Sequence, residues 1–243
     1  YTVKIDAVLN DANRAILNYS KAESYYPRKY NGGATVFSNN YYAKPPVIER
    51  KSVTLYSDIT DRLRTKLKFT QWSMDENDAS IGDGLFPEVR LNLGGDSVYL
   101  GGDRYRGANH IMVDEDILVF KADYDNDDNV LTFGIERTET DVYNLFIARY
   151  NGEIQFNSIE DFETGMWSYL RFHTPIAGND QVGTAAADFS IEKDTMYVQN
   201  KWYAGDDLTF TFGFRYDKVL TPDYPHLNPK FLERNGIGNN QRF

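Results

Sequence analysis

The sequence predicts an all-β fold, an antiparallel up-and-down transmembrane β-barrel, on three observations. First, 15% of the 243 residues are aromatic, yet 26% are charged and the mean hydropathy is only −0.56. Apolar and polar residues must therefore be interleaved, as in β-strands with two unlike faces. Second, several segments show that alternation residue by residue. Third, the connections between those segments are alternately short and long, as in membrane barrels.

The alternation is clearest in LTFTFGFRYD, residues 208–217, where every second side chain is apolar. Successive residues of a strand point to opposite faces, so this segment has one aromatic and one polar face. Similar patterns predict about eight strands, with boundaries defined to within about two to four residues. They lie near residues 2–9, 14–25, 47–57, 62–74, 108–124, 129–147, 188–203 and 207–219.

The connections indicate how these strands are arranged. The short ones, at residues 10–13, 57–61, 125–129 and 204–207, are rich in Asp, Asn or Gly, as tight hairpins require. The long ones cover residues 26–46, 75–107, 148–187 and 220–243. Strict alternation places all short turns at one end of the sheet, which is typical of outer-membrane barrels. In soluble sandwiches loop lengths need not segregate in this way.

The polar faces of the predicted strands carry many charges. An Arg or Lys that faces lipid costs roughly 2–4 kcal/mol at the bilayer midplane. We therefore expect these charges to face a hydrated barrel interior or a plug domain inside it, although the outer face of a soluble sheet would also hold them. The residues predicted to face the lumen are Arg64, Lys66, Lys68, Glu136, Arg215 and Asp217.

Eight strands can close a small barrel alone, with side chains filling its interior. The chain, however, begins in a strand pattern and stops in a loop, without a signal peptide. Unpaired strand edges are not tolerated in hydrocarbon. We therefore expect residues 1–243 to be part of a larger outer-membrane barrel, with no plug domain in this stretch of sequence.

Composition argues against other classes of protein. A formal charge of −10 disfavours nucleic-acid binding, which needs cations to neutralise phosphates. Without cysteine there is no zinc–thiolate site, disulfide or cysteine nucleophile. No Gly-x-Ser-x-Gly elbow occurs, and the Asp-rich segment 123–129 lacks the central Gly and final Glu of a calcium loop. The sequence predicts a protein that is not an enzyme and has neither cofactor nor metal.

Two aromatic segments of the long loops are candidates for ligand contact. One contains Trp167, Tyr169 and Arg171, where aromatic rings can stack on a ligand and the guanidinium can bind carboxylate or phosphate. The other contains Tyr41 and Tyr42. The alternatives are that the first segment packs against neighbouring loops and that the tyrosine pair belongs to the aromatic girdle at the membrane interface.

Two blocks of the sequence resemble TonB-dependent receptors, in particular the Oar-like (OmpA-related) group. Residues 194–240 contain a strand ending YVQNKW, an Asp-Asp-Leu turn, a strand with GFRYD, and a loop rich in Pro and Asn that ends near GIGN. Residues 156–165, FNSIEDFETG, are similar to an extracellular-loop element of that group. Together the blocks cover about a third of the chain.

The resemblance implies a barrel of roughly 22 strands whose interior holds an N-terminal plug that contacts TonB. It also implies uptake, across the outer membrane of a Gram-negative bacterium, of a substrate captured by extracellular loops. The expected partners are outer-membrane lipid, the plug and TonB through the rest of the protein, and a substrate that the sequence does not identify. Two alternatives are a self-closing structural or adhesive barrel and a soluble secreted carbohydrate-binding β protein.

Overall fold

The computed structural model describes residues 1–29, 34–82, 85–175 and 182–240, and strands dominate it. The predicted long connections at 26–46, 75–107, 148–187 and 220–243 each lie partly outside these ranges. The strands are β1 Thr2–Asn10, β2 Asn13–Glu23, β3 Tyr26–Arg28, β4 Thr35–Val36, β5 Tyr42–Lys44, β6 Val47–Asp58, β7 Leu63–Asn77, β8 Ala79–Ser80, β9 Glu88–Leu93, β10 Asp96–Gly101, β11 Asn109–Asn126, β12 Asn129–Phe146, β13 Glu153–Phe156, β14 Tyr169–Arg171, β15 Ala187–Tyr203 and β16 Thr209–Leu220. The α-helices are α1 Ile159–Thr164 and α2 Pro229–Asn235, with 3-10 turns at Ser38–Asn40 and Val182–Ala185.

Eight long strands form the main sheet, in the order β1-β2-β6-β7-β11-β12-β15-β16. Every neighbouring pair is antiparallel, so the chain runs up and down as predicted. These are the eight strands expected from the alternation, and each observed boundary lies within three residues of the expected one. Neither helix among the described residues is both long and apolar enough to cross a membrane.

The four short connections all lie at one end of this sheet. In the first, the Asn10 side-chain oxygen accepts a hydrogen bond from the backbone N–H of Ala12 at 3.0 Å. In the third, Asp127 adopts a left-handed conformation (φ 46°), which Asp tolerates better than most residues. Backbone hydrogen bonds link neighbouring turns, for example from Asp58 N–H to the Ala12 carbonyl at 2.8 Å.

The two faces of the sheet differ in chemistry along whole rows of register partners. One row contains Tyr56, Lys66, Lys121, Gly134, Tyr197 and Arg215, and the adjoining row on the same face contains Thr54, Lys68, Val119, Glu136, Thr195 and Asp217. Arg64, two residues before Lys66, lies on this face as well. All six residues predicted to face the lumen therefore share one face.

That polar face is the concave one. Its small side chains are buried, with Thr195 4% and Thr54 5% exposed, whereas Phe133 and Phe212 on the other face are 44% and 59% exposed. Side chains converge on the inner surface of a curved sheet and spread apart on the outer one. The convex face is thus the aromatic, apolar face.

The apolar band on the convex face runs obliquely to the register rows. In the row of Ile5 the first five members are apolar or aromatic and the last three are charged; in strand order they are Ile5, Leu17, Val53, Phe69, Leu118, Arg137, Asp194 and Lys218. On β16 the apolar stretch lies nearer the short turns, at residues 210–216. A band that stays level while the rows slope means that the strands are tilted, as they are in a barrel wall.

The sheet is open in the described residues, since β1 pairs only with β2 and β16 only with β15. The long connections, which the sequence did not resolve into elements, carry further strands instead. These form a five-stranded sheet, β14-β13-β9-β10-β4, and a three-stranded sheet, β3-β5-β8. We call these two small sheets and their connections the loop layer.

One glycine on the concave face is required by a close approach between strands. The ring of Tyr197 on β15 lies over Gly134 on β12, and a Cβ at position 134 would lie 2.2 Å from Cζ of that ring. The Arg215 guanidinium is 5.9 Å from the same ring. Glycine therefore allows an aromatic ring to lie flat along the inner wall.

We predict that Gly134→Ala displaces the Tyr197 ring and lowers the free energy of unfolding by about 1–3 kcal/mol, the usual cost of overpacking. Denaturant unfolding in detergent measures it. In a Tyr197→Ala background the same substitution should cost much less, because the obstacle is gone. An equal cost in both backgrounds would contradict this account of the glycine.

Candidate functional site

The loop layer is organised around two buried glutamates. Strands β9 and β13 are parallel neighbours, and their register places Glu88 directly beside Glu153. Each side chain is only 1% exposed. Two adjacent buried carboxylates repel each other and lose their hydration, so they require cationic partners.

Arg104 supplies the shared cation. Its Nη1 lies 2.5 Å from Oε1 of Glu153 and 3.5 Å from Oε1 of Glu88. Arg149 donates to the second oxygen of Glu153, and the Tyr169 hydroxyl donates to the first at 3.2 Å. The side-chain amide of Asn40 donates to Glu88 at 3.2 Å. Residues from three long connections therefore meet at this pair.

The two glutamates differ in protonation behaviour. Burial raises the pKa of Glu88 above its ordinary value, against the opposing effect of Arg104. Burial acts in the same direction on Glu153, but hydrogen bonds from Arg149 and Arg104 outweigh it and hold its pKa below the ordinary value. Glu153 is thus the ionised anchor of the cluster.

A second cluster lies beside the three-stranded sheet. Nη1 of Arg106 lies 3.1 Å from Oδ2 of Asp78, which is 4% exposed, and its guanidinium lies 4.4 Å from the centre of the Tyr42 ring. Lys44 is 3.9 Å from the same Asp78 oxygen. Because Arg104 and Arg106 are two residues apart, the short segment 103–106 joins both clusters and thereby both small sheets.

The predicted ligand residues lie in different parts of this layer. The guanidinium of Arg171 is 4.5 Å from the Tyr169 ring, and Trp167, two residues before that tyrosine, is 58% exposed. Tyr41 is half-buried, and Tyr42 is buried beneath Arg106. The structure thus brings Tyr169 and Arg171 together and places the tyrosine pair in the other small sheet. Their role in ligand contact stays a prediction.

Trp167 belongs to an exposed apolar rim at α1 and β14. Ser158 caps the start of α1 by accepting a hydrogen bond from Asp161 N–H, and Gly165 ends the helix with φ 73°. Phe162 packs edge-on against Phe156 of β13, with ring centres 5.3 Å apart. The block FNSIEDFETG is therefore a short capped helix on the small sheet. The other exposed apolar residues of the rim are Ile159, Met166, Leu170 and Phe172.

The concave face contains both paired and unpaired cations. Lys121 lies 2.9 Å from Asp123, and Arg215 lies 2.9 Å from Asp217. The Thr195 hydroxyl donates to Asp217 at 2.6 Å, which orients that carboxylate. The face thus has an ordered polar lining rather than a row of freely solvated side chains.

The buried charge clusters were not predicted from the sequence. Apart from Arg149 and Glu153, which are four residues apart, their partners are 16 to 65 residues apart in sequence, so no local pattern connects the clusters. One signal was available in residues 103–106, Asp-Arg-Tyr-Arg, where an arginine occupies every second position directly after a Gly pair. Closely spaced arginines beside an aspartate inside a long loop indicate that the loop is ordered around ion pairs.

Comparisons with known proteins bear on the fold. No protein-family model matches the sequence, and no curated protein sequence is significantly similar to it. Among solved structures, the outer membrane transporter YddB from Escherichia coli is similar, with a TM-score of 0.62 at 12% sequence identity. The match covers 90% of this chain and 26% of that one, so this chain spans about a quarter of the transporter's length. The chain therefore has the fold of an outer-membrane barrel wall.

We predict that Arg104→Met loosens the loop layer, because it leaves two buried carboxylates side by side. Losing one partner of a buried charge network costs about 3–5 kcal/mol. Hydrogen exchange of β9 and β13 should accelerate accordingly, while exchange in β11 and β12 stays unchanged. The matched control is Arg62→Met, since Arg62 pairs with Asp127 in solvent at a turn. Equal effects of the two substitutions would show that the buried cluster is not needed.

Proposed function

We propose that this chain forms part of the wall of a TonB-dependent transport barrel in the outer membrane of a Gram-negative bacterium. The observation that carries the proposal is the tilted apolar band on the convex face, opposite a concave face lined with charge. Aromatic side chains that are 46–66% exposed along β16 need a covering, and lipid supplies it. The charged concave face then lines the barrel interior.

The similarity to the outer membrane transporter YddB supports this function. So do the open edges at β1 and β16, which need further strands before the sheet can lie in hydrocarbon. We propose that the same protein contains these further strands, which complete a barrel of about 22 strands in all, and a plug that contacts TonB. The Oar-like motifs of residues 194–240 agree with that assignment.

The loop layer is proposed to capture the substrate outside the cell. It lies at the end of the sheet opposite the short turns, and its buried ion pairs fix the surface that carries Trp167 and Arg171. A preorganised loop surface loses little conformational entropy when it binds a ligand. We propose no catalytic step. The first test below separates a membrane barrel from a soluble carbohydrate-binding protein, and a plug domain encoded upstream would separate the transport barrel from a self-closing one.

The lipid-facing assignment predicts effects of different size for substitutions at two adjacent residues of β16. Phe212→Arg should destabilise the full-length protein in phospholipid vesicles by about 2–4 kcal/mol, because a cation then faces hydrocarbon. Thr211→Arg, on the inner face, should have less than half that effect. Urea unfolding in vesicles measures both. If the order were reversed, or if the protein were monodisperse without detergent, the membrane assignment would be wrong.

The topology predicts which ends of the strands are accessible from outside the cell. Because residues 1–243 contain no cysteine, a single cysteine introduced there gives the one labelled peptide of this stretch, which mass spectrometry identifies. Trp167→Cys should react with a membrane-impermeant maleimide on intact cells, and Asp207→Cys, in a short turn, only after the cells are broken. Labelling of position 207 on intact cells would refute the proposed orientation.

A further inference from the structure

Three cations on the concave face lie on two neighbouring strands and have no carboxylate partner. They are Arg50 on β6 and Lys66 and Lys68 on β7, and we call them the inner patch. Among the described residues no carboxylate oxygen lies within 4.0 Å of any of the three. Lys66 instead has its ammonium 5.9 Å from the Tyr56 ring.

The register adds repulsion to this lack of partners. Lys66 lies directly opposite Lys121 of β11, and like charges in directly opposed positions destabilise a sheet. Glu136 is in the row of Lys68 but lies two strands away, beyond Val119, which is about 10 Å. The sheet therefore leaves the positive charge of the inner patch uncompensated.

The other cations near the centre of the same face behave differently. Lys121, Lys193 and Arg215 each have an Asp within 3.5 Å. The chain as a whole carries ten more negative than positive charges, so acidic residues are not scarce. Lys4 on β1 and Lys201 on β15 also have no carboxylate partner among the described residues, but they lie far from each other. Three unpaired cations on the neighbouring strands β6 and β7 of an acidic chain indicate a binding surface rather than an excess of base.

We propose that the inner patch binds solutes bearing carboxylate or phosphate groups as they pass through the barrel interior. This inference rests on the proposed function and names its substrate class. The planar guanidinium of Arg50 can bind an oxyanion in a bidentate manner, and the two ammonium groups add point charge. An oxyanion beside Lys66 also relieves its repulsion with Lys121. Trp72, the register partner of Arg50, supplies an apolar flank.

Citrate, a tricarboxylate, is the probe. In the full-length protein in detergent, citrate should slow acylation of Lys66 and Lys68 by an amine-reactive ester, read out by mass spectrometry, and sucrose should not. Calorimetry should show citrate binding weakened by about tenfold or more in the double variant Lys66→Gln, Lys68→Gln. The matched control, Lys4→Gln with Lys201→Gln, removes the same charge from this face elsewhere and should bind citrate as the unmodified protein does.

Three results would overturn the inference. The first is that citrate leaves both labelling rates unchanged, and the second is that the two double variants weaken binding equally. The third is that Lys66 and Lys68 are protected before citrate is added, which would assign the inner patch to a segment of the protein itself. Circular dichroism confirms that each variant keeps its sheet. Failure of the proposed function is distinguishable, since it shows as a protein that is soluble without detergent, whatever citrate does.

Discussion

The structure depends on the need of every strand to have its backbone hydrogen bonds satisfied by a neighbour while its side chains alternate between two solvents. Antiparallel pairing between consecutive strands meets the first requirement with short turns at one end. The period of two meets the second, because each strand then has one apolar face, proposed to contact lipid, and one polar face, proposed to line the interior. Charge on the inner face is therefore compatible with an aromatic outer face only one residue away.

The long connections outside the main sheet are subject to a different constraint. A long loop in water needs its own core, and the loop layer buries both apolar side chains, such as Leu91 and Phe156, and charged ones. The buried charges are Arg104 between Glu88 and Glu153, and Arg106 beside Asp78. Such networks stabilise a layer only when all members are present. The loops are consequently ordered as a group, and their aromatic rim is held by residues far away in sequence.

The sequence alone allowed the main sheet to be predicted almost completely, since alternation and turn composition are local signals. The strand at residues 109–126, for example, was expected at 108–124. It also allowed the six predicted lumen residues to be placed on one face of the sheet, because residue parity predicts what the register shows; that this face lines a lumen stays a prediction. The small sheets were not predictable, because strands such as Tyr169–Arg171 are three residues long and depend on partners elsewhere. Nor was the burial of Tyr42, which results from the distant Arg106.

The shared role of residues 103–106 has a consequence for how such a protein can diversify. Surface loops are normally the segments in which related proteins differ most freely. Here an insertion or deletion of one residue between Arg104 and Arg106 would disconnect one small sheet from its counter-charge, so those four positions should be among the slowest to change. Variation that alters recognition would then accumulate at the rim formed by α1 and β14. The side chains of this rim take part in neither cluster's ion pairs, although the Tyr169 hydroxyl donates a hydrogen bond to Glu153.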